Sequence, residues 1–293
     1  DVEADGNGGH TFWFISDRGS AKVRNAIADP RAAITVGGAT VTEEIYPGFK
    51  YLIASYLISL LRPEVIKELD LARHGLEIMP LETTYVPLPD GNYLADWPDH
   101  DATRFEIARH SKRDAEAYDE YARTMRRLAL AVRPLLDMIP PDPALLTPGD
   151  LATMARVRGV LSGMRQDDFY LLARLMTMSA ADFLDEWFES PALKGTKSTS
   201  GIIGTFMGPR TPGTGYVLLH HYVGEIDGVF RAWGFARGGT GGLSQAIASA
   251  ARAAGVEIKL NAPVAQVIVK DGAAAGVALE SGDEYYADIV VSN

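Results

Sequence analysis

The stretch GGATVTEEIYPGFKY, residues 37–51, decides how this chain is read. Neither Gly37 nor Gly38 carries a Cβ, so the backbone there can lie close against a bulky ligand. The 36 residues before it have a different character. Residues 1–9 are acidic and glycine-rich and read as a loop. TFWFIS, residues 11–16, has the aromatic and β-branched content of a strand. A short helix is expected over residues 20–28, stopped by Asp29-Pro30, and RAAITV, residues 31–36, reads as the next strand. Lys22 stands near the start of that helix, with Ser20 and Arg24 beside it. A lysine next to helix-start N–H groups suits a phosphate, and a solvated basic helix face accounts for the same residues.

A chain of 293 residues has room for one large or two modest domains with an ample core. Hydrophobic residues make up 47% and charged residues 23%, the composition of a globular protein. The net charge of −10 argues against a general nucleic-acid binder, which needs a basic face to displace counterions. There is no cysteine, so disulfides, thiolate metal sites and thiol catalysis are excluded, and a reducing compartment fits. No apolar run approaches the ~20 residues that span a bilayer, and the longest, residues 51–61, is about half of that. The first residues show no signal-peptide pattern. A cytoplasmic protein without a transmembrane segment is expected, with peripheral membrane contact left open.

Residues 64–69 read as a helix with Pro63 at its first turn. Residues 76–81, 84–88 and 93–97 are short strand candidates, the last two joined by the turn Pro89-Asp90-Gly91-Asn92, and together they are expected to form one small sheet. Asp101 is expected to cap a helix over residues 103–110. Residues 113–138 place Tyr118, Tyr121, Met125, Leu128, Val132 and Leu135 at alternating three- and four-residue steps, one buried face of a long helix. Core packing explains this stripe, and an apolar substrate tunnel is the alternative. Pro140-Pro141-Asp142-Pro143 ends the helix. Further helices are expected over residues 150–164 and 167–188, where Met164, Met176, Met178, Trp187 and Phe188 make an apolar, adaptable region. Residues 195–215 read as loop and short helix.

His220 and His221 are adjacent, about 100° apart on a helix, so they do not converge on one metal. One of them is a candidate proton donor or hydrogen-bonding group, with packing as the alternative. Residues 230–236 read as a strand, followed by Arg237 and the turn Gly238-Gly239-Thr240-Gly241-Gly242. An Ala-rich helix over residues 243–254 ends at Gly255. Residues 256–260 are expected to form a parallel strand, and residues 263–269 and 276–279 further strands, with a hairpin at Lys270-Asp271-Gly272 and a turn at Ser281-Gly282-Asp283.

Over residues 37–293 these segments resemble, nearly continuously, the FAD-dependent oxidoreductases of the phytoene desaturase-like family, and most closely their pyridine nucleotide-disulphide oxidoreductase domain-containing branch. FWFISDRGSAKVRNAIADPRAAITV, residues 12–36, resembles instead the middle of the pyridoxamine 5′-phosphate oxidase-like split barrels, which hold FMN, and that resemblance puts Lys22 on the flavin phosphate. The first resemblance implies an α/β fold: an incomplete Rossmann-like FAD-binding domain with an α+β substrate domain, made of a small sheet plus a helical cap. Residues 1–36 would be the split-barrel-like fragment, residues 37–69 and 231–293 the FAD-binding remnant, and residues 70–230 the substrate domain. It places Gly37, Gly38 and Thr42 against FAD, and Gly238 and Gly239 where the substrate cavity meets the flavin ring. It also places the backbone of Val264 on the adenine.

The family takes a hydride from a C–H bond of an apolar small molecule, and because the flavin carries that step no catalytic side chain is assigned. In the family a strand, a helix opened by G-x-G-x-x-G and a second strand ending in an acidic residue precede the Gly-Gly pair. No G-x-G-x-x-G occurs in these 293 residues, and the family's last FAD-contacting segment lies beyond residue 293. The resemblance therefore implies a truncated, impaired copy with residual FAD affinity. Two other readings stay open. One is an FMN-binding split-barrel flavoprotein, carried by residues 11–36. The other is a non-catalytic helical module for apolar molecules, carried by the middle of the chain.

Overall fold

The structure, a computed structural model, describes residues 57–291 except 137, 142–143 and 145–146, and before residue 57 the backbone of four short strands. The chain divides into two units, Asp1–Met79 with Phe235–Asn293, and Pro80–Gly234. In the first unit, β1 (Thr11–Phe14) and β2 (Ala32–Thr35) run parallel, Thr11 opposite Ala32. β3 (Glu43–Tyr46) and β4 (Phe49–Tyr51) pair antiparallel. α1 (Pro63–Glu68) starts on Pro63, whose missing N–H is no loss at that position. β5 (Ile78–Pro80) follows and leads out of the unit.

The second unit opens with a hairpin, β6 (Thr84–Pro87) and β7 (Tyr93–Asp96), closed by a turn in which Gly91 has φ 81°. α2 (His100–Ala108) is capped by Asp99, whose side chain accepts from the Ala102 N–H at 2.7 Å. The expected cap, Asp101, instead lies inside the first turn, because Asp99 has the extended backbone that a cap requires. α3 (Lys112–Val132) is the long helix, with Tyr118, Tyr121, Met125, Leu128 and Val132 all buried. A 3₁₀ turn, Arg133–Leu135, closes it at Pro134. These side chains are the centre of the unit's core, together with Leu175, Phe183, Leu184, Leu193, Leu218 and Leu219.

α4 (Pro148–Ser162) starts with a reciprocal capping box between Thr147 and Asp150. α5 (Gln166–Leu175) and α6 (Ala180–Trp187) replace the single helix expected over residues 167–188. The break arises because Ser179 caps α6 by accepting from the Asp182 N–H at 3.0 Å, while the Met178 carbonyl accepts from Gly213 and Gly215. α7 (Pro191–Ser198) is capped by Ser190 and runs into a 3₁₀ turn, Thr199–Gly201. α8 (Thr214–His220) packs so closely that a Cβ on Gly215 would stand 3.0 Å from the Met178 carbonyl oxygen. β8 (Glu225–Ile226) and β9 (Val229–Phe230) form a hairpin through Asp227 and Gly228, both at positive φ, the Asp-Gly signature of a two-residue turn.

β10 (Gly234–Ala236) re-enters the first unit and pairs with β5. Two expectations are corrected here. The strand candidate at residues 76–81 belongs with β10, not with the β6–β7 hairpin, and residues 230–236 are two strands because Arg231 turns the backbone to φ 63°. α9 (Gly239–Ala253) begins four residues earlier than the expected start at 243. Its small residues Ala246 and Ala250 pack on Ile58, Leu69, Leu71 and Leu76. Gly255 at φ 85° ends it: the Val256 N–H reaches back to the Ala251 carbonyl and the Gly255 N–H to Arg252, a Schellman closure. Residues 256–259 therefore form no strand, since Val256 is consumed in capping and its side chain is buried. β11 (Val264–Lys270), β12 (Ala273–Leu279) and β13 (Glu284–Tyr286) make an antiparallel sheet, turned at Asp271-Gly272 as expected.

The Asp114 carboxylate is fully buried and accepts from the backbone N–H groups of Glu189 and Ser190, each at 2.8 Å, fastening α3 to the start of α7. Asp114→Ala strands both donors and is expected to cost about 3 kcal/mol, a fall of roughly 6–12 °C in melting temperature for a domain this size. Asp114→Asn keeps one acceptor oxygen and should lose less. Thermal unfolding checks this, and equal melting temperatures for all three proteins would refute it.

Candidate functional site

Two places concentrate unusual geometry, one in each unit. In the first, the chain turns from β10 into α9 through Gly238 at φ 79° and Gly239 at φ 70°. The turn is tight: the Gly242 N–H donates to the Gly238 carbonyl at 3.3 Å, and a Cβ on Gly242 would collide with the carbonyl oxygen of Arg237. Arg237 is held beside it by a two-point pair with Glu77, which lowers the Glu77 carboxyl pKa. The outcome is backbone without Cβ atoms at the start of a fifteen-residue helix. Such a surface admits close approach by a flat or electron-rich group, favoured by the positive end of the helix dipole.

In the second unit three residues far apart in sequence converge. Asp96 ends β7, Lys197 lies in the last turn of α7, and Arg231 follows β9. Asp96 Oδ2 accepts from Lys197 Nζ at 2.6 Å and from Arg231 Nη2 at 3.4 Å. Thr103 Oγ1 stands 3.4 Å from Oδ1 while donating to the Trp97 carbonyl and accepting from the Trp97 N–H. Lys197 Nζ lies 5.3 Å from the centre of the Tyr118 ring, and the Arg231 guanidinium carbon 4.3 Å from that of Tyr222. Tyr222 in turn shares a buried 3.0 Å hydrogen bond with the Tyr121 hydroxyl.

The electrostatics follow from this packing. Burial alone would push the Asp96 carboxyl up, but Lys197 and Arg231 outweigh it and hold its pKa at about 2, below the ordinary 3.8. Burial likewise opposes the charge on Lys197, and Asp96 reverses that and raises its pKa. Burial drives the Tyr121 hydroxyl well above its ordinary value, so it stays neutral. Arg231 holds a left-handed backbone that costs a residue with a Cβ roughly 1–2 kcal/mol, and its N–H is pinned to the Gly224 carbonyl at 2.6 Å.

Of the paired histidines, His221 is buried and lies parallel to the Trp233 ring, 6.0 Å between centres. Its Nδ1 donates to the Val217 carbonyl at 2.8 Å, which leaves Nε2 as the nitrogen able to accept a hydrogen bond or a proton. The two imidazoles stand edge-on at 87°. Among the described residues no group of three or more His, Asp or Glu is placed to hold a metal.

Gly238 and Gly239 thus sit in the turn before α9, and Val264 opens β11 opposite Leu279 with its side chain half exposed. Gly37, Gly38, Thr42, Ser20, Lys22 and Arg24 lie outside the described residues. Tyr118, Tyr121, Met125, Leu128 and Val132 of the expected stripe are buried in the core, whereas Leu135 lies in the 3₁₀ turn and is partly buried. Asp96, Lys197 and Arg231 escape a reading of the sequence because separations of 101 and 135 residues carry no local pattern. The one signal nearby is Asp227-Gly228, which marks the hairpin that delivers Arg231.

Residues 75–293 match the family described as flavin containing amine oxidoreductase. The chain is 40% identical over 285 residues to pyridine nucleotide-disulfide oxidoreductase domain-containing protein 2 of Rattus norvegicus, covering 92% of this chain and 49% of that protein. It is 29% identical over 125 residues to chloroplastic prolycopene isomerase 1 of an Oncidium hybrid cultivar, covering 42% of this chain and 20% of that one. A solved structure of putrescine oxidase, redesigned in its cofactor binding, superposes with a TM-score of 0.53 at 17% identity, over 96% of this chain and 57% of that one. At that identity the likeness is one of fold. The chain spans about half the length of the rat and mouse relatives it matches.

Replacing Asp96 by Asn leaves Lys197 buried without its counter-charge and is expected to destabilise the protein by about 3 kcal/mol. Removing both charges in Asp96→Asn/Lys197→Met should recover part of that loss. Because the folded pKa of Asp96 is depressed to about 2 from 3.8, its contribution is present above pH 4 and is lost as pH falls toward 2. Urea unfolding between pH 2 and pH 6 measures this. If Asp96→Asn has the same acid dependence as the parent, the carboxylate is not the group that titrates there.

Proposed function

The chain belongs to the flavin containing amine oxidoreductase family, and we propose that it serves an FAD-dependent oxidation in which a hydride leaves a C–H bond of an apolar small molecule. The match of residues 75–293 to that family carries the reading. The resident group, when bound, supplies the two-electron acceptor, and the substrate loses a hydride and a proton. What the chain contributes is position and dryness. Gly238 and Gly239 offer Cβ-free backbone against which a flat ring can lie, and the tight packing of Gly242 keeps that turn from relaxing. Gly37, Gly38, Thr42 and the backbone of Val264 are the further contacts we assign to FAD.

The apolar substrate class is supported by relatives whose names specify prolycopene and 4,4′-diapolycopene. The FMN alternative rests on residues 11–36, which lie outside the matched segment. Taken by themselves, these 293 residues carry no G-x-G-x-x-G, so we propose that they hold FAD more weakly than a chain with that turn.

Titration with FAD, followed by quenching of flavin fluorescence, is expected to saturate, whereas FMN should give little response. Gly38→Leu should weaken FAD binding by about tenfold or more, equivalent to about 1.4 kcal/mol. FMN binding as tight as FAD, or no response to either, would overturn the proposal.

A further inference from the structure

We propose that Arg231, backed by Lys197, binds the carboxylate of a small molecule with an apolar tail. The apolar remainder of that molecule rests on the reading above; the carboxylate rests on the charge cluster alone. The cluster holds two cations and one anion. Asp96 is the sole carboxylate bonded to either cation among the described residues, and both reach the same oxygen, Oδ2. Other acids of the unit have cations of their own: Glu225 pairs with Arg133 at 2.5 Å, Asp168 with Arg127 at 3.1 Å, and Asp119 with His100 at 2.8 Å. One positive charge is therefore in surplus in a setting where charges are costly without a partner.

The two cations are not equivalent. Lys197 is 5% exposed and lies close against Asp96, which suffices to neutralise that carboxylate. Arg231 is 29% exposed and engages Asp96 through Nη2 alone, at the longer distance of 3.4 Å. A guanidinium has five N–H donors in a planar fork, so most of this one faces away from its protein partner. Stacking on Tyr222 sets the plane of the fork, and the hydrogen bond from its own N–H to Gly224 holds the backbone, so the geometry is set before a ligand arrives. A structural tie alone does not call for arginine here. Glycine would relax the positive φ, and Lys197 already serves Asp96. A planar, two-oxygen anion matches the open fork best. The same surplus repels an ammonium, so a protonated alkylamine is the wrong ligand for this site.

Octanoate, octanol and octylamine at pH 7 are the probes, titrated calorimetrically into flavin-free protein. Octanoate should bind saturably and at least tenfold more tightly than octanol, with no detectable binding of octylamine. Arg231→Gly, which suits the backbone angle and so preserves the fold, should weaken octanoate at least tenfold and leave octanol unchanged. Arg231→Lys should fall between. Should Arg231→Gly fail to fold, the wild-type comparison of octanoate with octanol still decides. No saturable octanoate binding, octanol as tight as octanoate, or octanoate binding untouched in a folded Arg231→Gly would each overturn the proposal. FAD titration of the same samples separates the two readings: FAD affinity should be equal in wild type and Arg231→Gly, and a failure of FAD to bind would sink the oxidoreductase reading without touching the octanoate result.

Discussion

One carboxylate, Asp96, ties together three segments of the second unit. It ends the β6–β7 hairpin, receives Lys197 from α7 and receives Arg231 from the turn after β9. Lys197, 5% exposed, would otherwise stand unpaired in a poorly hydrated setting, so the meeting of β7 with α7 depends on that contact, while the looser Arg231 contact only adds to it. Tyr118, Tyr121 and Tyr222 line the cluster as a consequence, since the cations stack on two of these rings and the third shares its hydroxyl bond. Packing and charge here are one problem with one solution.

Apart from α3 and α4 the helices of the second unit run to ten residues or fewer, and short helices have a high proportion of unpaired end groups. This unit satisfies them with side chains. Ser111, Thr147, Ser179 and Ser190 each accept from an N–H in the first turn of the helix they precede. Asp114 extends the same logic across the core by taking two N–H groups at the start of α7. Close approach is then possible where Cβ atoms are missing, as at Gly215 against the Met178 and Leu175 carbonyls. The aromatic core centred on Tyr121 fills what remains, with Phe183, Trp187, Phe188 and Tyr222 about 5–6 Å away, ring centre to ring centre.

The functional reading draws on both units in different ways. In the proposed reading the turn before α9 faces the cofactor, because its glycines leave backbone uncovered at a helix start. The charge cluster bears on the proposed carboxylate, because its imbalance selects the sign of a ligand.

Local pattern was enough for the elements whose stability is local. The stripe from Tyr118 to Val132 repeats with the helical period, so its buried face was legible. Asp271-Gly272 announced its hairpin, and Asp227-Gly228 carries the same signal for β8–β9. The assignment of glycines to FAD rests on family resemblance, since a Gly-Gly pair has no side chain to declare a ligand. Helix ends were misread where capping competes with continuation. Ser179 broke the expected helix over residues 167–188, and Val256 was drawn into the closure of α9 in place of a strand. By itself the sequence determined the long buried helix and the turns, because these follow from periodicity and from the backbone preferences of glycine, proline and aspartate, while the α/β class came from the family resemblance. Only the tertiary structure decided which strand pairs with β5, and that Asp96, Lys197 and Arg231 meet. Contacts across a hundred residues are set by the packing of whole elements, and no short-range preference of the chain encodes them.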